Sequence, residues 1–127
     1  RVSTTSSSEN SAIHSLAKDG VNPTLTILDA TIISETPVSE DRAALEVEAG
    51  TVTIGKNDGT ISNTTPVLQG INYAIKTKNS PTIDIYDGIF KGLSSVTSGP
   101  GTINYHGSQV TGTELIGSDT YQTLYLQ

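Results

Sequence analysis

The chain contains no cysteine, methionine or tryptophan, and only one phenylalanine among 127 residues. Without cysteine it has no disulfide framework, no thiolate zinc site and no thiol nucleophile. No apolar run exceeds three residues, so nothing reads as a membrane-spanning helix, which needs about 20. Positive charge is scarce: seven Lys and Arg stand against 13 Asp and Glu, for a formal net charge of −6. That balance offers no general attraction to nucleic acid or to an anionic membrane. With no Met and an Arg1-Val2-Ser3 opening, the chain is expected to be a processed subunit or a piece of something longer. Residues 1–127 are read as one module of such a protein.

What is abundant is Thr (19) and Ser (15), with 12 Gly, and 30 Ile, Leu and Val together. That many branched aliphatics at a charged fraction of 16% argues for a packed core rather than disorder. They are arranged in a repeat. Segments opening at Thr24, Thr51, Thr82 and Thr102 align, and each alternates. Leu25 and Ile27, Val52 and Ile54, Ile83 and Ile85, and Ile103 and Tyr105 fall on one face, with Thr, Asp or Asn on the other. This is the period-two signature of a half-buried strand. A second motif precedes the first three copies: Ala12-Ile13-His14-Ser15, Ala44-Leu45-Glu46-Val47 and Ala74-Ile75-Lys76-Thr77.

One strand–bend–strand unit cannot bury its apolar face alone, whereas stacked copies can. The expected fold is therefore all-β, a right-handed parallel β-helix (β-solenoid) of about four coils with irregular loops. Its inward stacks are expected to be Leu25/Val52/Ile83/Ile103, Ile27/Ile54/Ile85/Tyr105, Ile13/Leu45/Ile75 and Ile32/Ile61/Phe90/Val110. Lys18–Pro23, Glu35–Arg42 and Leu93–Gly101 are expected to be polar loops between coils. The closing Tyr121–Leu126 alternates and should cap or pair with an edge. The Ser-rich residues 3–8 read as a loop or an incomplete coil.

Gly50–Gly55, Tyr73–Ile75, Tyr86–Gly92 and Tyr121–Leu126 together resemble motifs of pectate-lyase-like β-helix modules in secreted and surface proteins of gut Firmicutes. The resemblance covers most of the chain from residue 11 onward. It implies a secreted or cell-surface bacterial protein. It is specific for architecture, since this fold hosts lyases, hydrolases, adhesins and phage spikes alike.

Candidate chemistry is sparse. Asp29, Asp58 and Asp87 align at the bends, where Asp commonly accepts backbone hydrogen bonds; Asp58 and Asp87 are also the weak candidates for Ca²⁺, the one cofactor considered. Asp84 and Asp87 with Lys91 would be the catalytic set of a polysaccharide lyase or glycoside hydrolase. The resemblance implies that a lyase needs a basic residue beside Ca²⁺, yet Arg1 and Arg42 lie off the Asp-bearing strands, leaving Lys76, Lys78 or Lys91. His14 and His106 sit in different copies without metal-ligand spacing and read as surface histidines. Tyr86 and Tyr73 are the candidate ligand-binding residues, as platforms for sugar rings. Asn63-Thr64-Thr65 matches a glycosylation sequon. The Thr-x-Thr pairs of the first two copies become Thr-x-Asp and Thr-x-Asn in the others, too short an array to template ice.

The expected function is thus a non-catalytic extracellular structural module, adhesive or filament-forming. Its partners would be glycans, and flanking coils or further copies joined through open β-helix ends. A lyase or hydrolase is the first alternative and a phage receptor-binding spike the second.

Overall fold

A computed structural model describes residues 2–4, 11–35, 42–62 and 64–126. Among them are fourteen strands and no helix, as the β-branched, Gly-punctuated sequence dictates. Residues 5–8 of the Ser-rich start, the centre of the Glu35–Arg42 loop and Asn63 of the sequon lie outside the described residues.

The strands form three sheets. Sheet one holds β2 (Ile13–Ser15), β5 (Ala43–Val47), β8 (Tyr73–Thr77) and β11 (Thr97–Ser98). Sheet two holds β3 (Thr24–Ile27), β6 (Thr51–Ile54), β9 (Thr82–Ile85) and β12 (Thr102–Tyr105). Sheet three holds β1 (Val2–Thr4), β4 (Thr31–Ser34), β7 (Val67–Gly70) and β10 (Ile89–Gly92), followed by β14 (Asp119–Leu126) and then β13 (Gln109–Ile116). The chain visits sheets three, one and two in that order, four times over. Every pairing in sheets one and two is parallel, as are β1–β4–β7–β10.

Register follows the sequence repeat. Leu25, Val52, Ile83 and Ile103 are successive Cα partners, and so are Ile27, Ile54, Ile85 and Tyr105. Ile13, Leu45 and Ile75 form the matching column of sheet one. The middle rungs are sealed: Val52, Ile54, Leu45, Ile75, Ile83 and Ile85 have no exposed surface. On the outer face of sheet two, Thr24, Thr51, Thr82 and Thr102 form one column.

The third column departs from the expected one. It runs Ile32, Leu68, Phe90, Leu124; Ile61 and Val110 are not in it. Ile61 sits in the long connection between β6 and β7, and the strand resumes only after Pro66. Val110 is displaced because the chain turns back after β13 and β14 inserts antiparallel between β10 and β13. Leu93–Gly101 likewise is not a bare loop, for it carries β11 stacked on β8. The revised column predicts that Leu124→Ala, at a 7% exposed site, loses about 2 kcal/mol or more in urea denaturation. Ile61→Ala, half-buried, is expected to lose less than half of that.

Candidate functional site

The outward positions of sheet two near its C-terminal edge bring three polar groups together. Asp84 on β9 is the register partner of Asn104 on β12. Its Oδ1 accepts a hydrogen bond from Asn104 Nδ2 at 3.2 Å and lies 2.9 Å from His106 Nε2. These contacts, the one to His106 foremost, hold the Asp84 carboxyl below its ordinary range against the opposing effect of partial burial. Two positions on, the rings of Tyr86 and His106 stack with centroids 4.2 Å apart and planes 12° apart. The pair borders a hollow of about 180 Å³ whose other wall is the β6–β7 connection, including Lys56, Thr60 and Ile61.

The aligned aspartates meet where the chain leaves sheet two. Asp29, Asp58 and Asp87 all line one groove of about 240 Å³, together with Lys56. The carboxylates of Asp87 and Asp58 hold the corner. Asp87, 8% exposed, accepts from Ser62 N and from Gly88 N, each at 2.8 Å. Asp58 accepts from Thr60 N at 3.0 Å and Thr60 Oγ1 at 2.6 Å, which lowers its pKa. The three carboxylates do not converge as a ligand set. Among the described residues, the group of three His, Asp or Glu ligand atoms within 4.8 Å of one another is elsewhere.

Lys91, on β10, forms an ion pair with Glu114 of β13 beside a groove of about 320 Å³ on sheet three. Asp84, Asp87 and Lys91 therefore belong to three neighbourhoods: an outer sheet face, a corner and a different sheet. Tyr73 opens β8 on sheet one, half-buried, its N–H donating to Arg42 O. It is not brought to Tyr86.

The convergent group comes from sheet one and includes His14, one of the two surface histidines. His14 Nε2 lies 3.0 Å from Glu46 Oε2 and 2.9 Å from Glu48 Oε2. Lys78 Nζ completes the cluster, 3.2 Å from Glu48 Oε1 and 3.6 Å from Glu46 Oε2. Lys78, and after it His14, hold the Glu48 carboxyl below its ordinary range despite the contrary effect of burial. Glu48 first, and then Glu46, raise the Lys78 ammonium. Local ligand spacing cannot reveal this cluster, because His14 and Lys78 each lie a whole repeat away from Glu46 and Glu48. The usable signal is the alignment, where His14, Glu46 and Lys76 occupy one column; the structure pairs them in register.

No protein-family model, curated protein or solved structure matches the chain.

Proposed function

We propose that the three-sheet rotation is a right-handed parallel β-helix and that the chain is a non-catalytic structural module of a bacterial cell surface or secreted assembly. The observation carrying this reading is the separate commitment of the acidic and basic side chains a sugar-cleaving enzyme would need. Asp84 is bound to His106 and Asn104, Asp87 to two backbone amides, and Lys91 to Glu114. No pair of them faces a common cleft. An adhesive role draws on the Tyr86–His106 stack and its adjoining hollow, which offer an aromatic edge and polar groups to a sugar.

The ends favour self-association. β2 and β3 are the outermost strands of sheets one and two, and β1 of sheet three. All three run parallel to their neighbours, so further parallel rungs continue that edge. The apolar residues there are incompletely covered: Leu25 and Ile13 are half-buried where their inner partners are sealed. At the other end the antiparallel β14–β13 pair stops the parallel ladder of sheet three. Stacking on the β1–β2–β3 edge is the expected mode of assembly. In sedimentation velocity across a concentration series the protein should associate; Leu25→Lys and Ile103→Lys, at the two open edges of sheet two that parallel head-to-tail stacking brings together, should each remain monomeric, and the exposed Thr120→Lys should behave as wild type. A monomer at all concentrations, or Ca²⁺-dependent product release from acidic polysaccharides, would overturn the reading.

A further inference from the structure

We propose that His14, Glu46 and Glu48 form a binding site for a divalent first-row transition metal, with zinc as the reference ion. The inference is independent of whether the module is catalytic or structural.

The geometry at His14 is the starting point. One imidazole nitrogen has two carboxylate oxygens, from two different glutamates, at 2.9 and 3.0 Å. A single N–H aims well at one acceptor and reaches two only through bent bonds. A metal ion in place of that proton serves all three atoms at once. Bonds of about 2.0–2.2 Å to nitrogen and oxygen put neighbouring donors about 3–3.5 Å apart; the two separations from His14 Nε2 are close to this, and all three atoms lie within 4.8 Å of one another.

The donors are also held in place. His14 and Glu46 are register partners on adjacent parallel strands, so the backbone ladder sets their separation. The Glu46 side chain is 3% exposed, and Ser11 Oγ donates to its Oε1 at 3.2 Å, which leaves Oε2 turned to His14. Outer-shell hydrogen bonds of this kind fix ligand orientation in metal sites. Glu48 is anchored by its own N–H, which donates to Ser15 O at 2.8 Å.

The ligand set selects the ion. One imidazole and two carboxylates suit zinc, iron, nickel or manganese. Calcium, which takes six to eight oxygens, finds too few. Lys78 is the built-in competitor: its ammonium neutralises the same carboxylates, and its side chain, half-exposed, is free to swing into water when a dication arrives.

Isothermal titration of the full chain with ZnCl₂, MnCl₂ and CaCl₂, paired with thermal unfolding, tests this. Wild type should bind one zinc per chain and melt at a higher temperature with it, and calcium should not compete. His14→Ala and Glu48→Gln should each weaken zinc binding at least tenfold while the metal-free proteins keep the wild-type circular dichroism. Lys78→Ala should bind zinc more tightly, and His106→Ala should bind as wild type. Absence of saturable one-to-one binding, equal losses in His14→Ala and His106→Ala, or weaker binding by Lys78→Ala would each overturn the assignment and leave an ion-pair cluster only.

Discussion

Ile85→Asp is expected to abolish the folded state. Ile85 has no exposed surface and stands between Ile54 and Tyr105 in an aliphatic column. A carboxylate there has no polar partner and no route to water. An uncompensated buried charge costs about 5 kcal/mol or more, even with the proton it would take up. Domains of this size hold roughly 5–15 kcal/mol in total. Far-UV circular dichroism in water should show an unfolded chain. Ile85→Ala should fold but lose about 2–5 kcal/mol in urea denaturation, as a cavity left in a close-packed stack does. Thr24→Asp supplies the contrast: it is exposed, its register neighbour is Thr51, and its effect should stay within about 0.5 kcal/mol. Thr53→Asp is a poorer control, because Thr53 is the register partner of Asp84 and like charges on adjacent strands repel. Equal destabilisation by Ile85→Asp and Thr24→Asp would contradict the assignment of inside and outside.

The columns of sheets one and two were legible in the sequence because alternation and alignment agree there. Each inward residue of sheet two recurs at the same offset from its copy's opening Thr, and each of Ile13, Leu45 and Ile75 directly follows the Ala that opens its motif; parallel stacking in register needs nothing more. Sheet three was not legible for two physical reasons. Ile61 aligns with Ile32 and Phe90, but the connection from Lys56 to Pro66 delays the strand, and Leu68 takes the rung. Val110 aligns as well, but β14 turns back and Leu124 occupies that position. Alternation carries no strand direction; Tyr121–Leu126 reads as a strand whichever way it runs. The same distinction governs the polar clusters. Asp29, Asp58 and Asp87 line one groove as their alignment implies, but the amides that engage Asp58 and Asp87 depend on loop conformation, which no periodicity encodes. His14 and Glu46 share a column in the alignment, whereas Glu48 lies beyond the strand and joins them only through the course of the corner.

Gly70→Ala should be the most damaging substitution of a single methyl group. Gly70 ends β7, and the chain reaches β8 at Tyr73. A Cβ on Gly70 would lie 1.6 Å from the Tyr73 carbonyl oxygen and 2.6 Å from its carbon. The next corner repeats the arrangement: a Cβ on Gly92, the register partner of Gly70, would lie 1.9 Å from Ser95 O. Both obstructions are backbone, so no rotamer change relieves them. The corner also cannot swing out alone. Buried Asn72 accepts from Arg42 N through its side chain at 2.9 Å, and from Ser94 N through its carbonyl at 2.9 Å, tying the rungs on either side to this one. Opening it breaks those bonds, at an expected cost of about 3 kcal/mol or more. Two other glycines separate this from a loss of backbone freedom. Gly59 has φ +80° with nothing within 4 Å of a Cβ, so Gly59→Ala should cost about 1 kcal/mol from backbone strain. A Cβ on Gly112 meets Thr123 Oγ1 at an ordinary 3.5 Å, and Gly112→Ala should be neutral within about 0.5 kcal/mol. Urea midpoints should therefore fall in the order Gly112→Ala, Gly59→Ala, Gly70→Ala. A Gly70→Ala protein as stable as Gly112→Ala would mean that the chain does not turn from sheet three to sheet one through a closed corner at this residue.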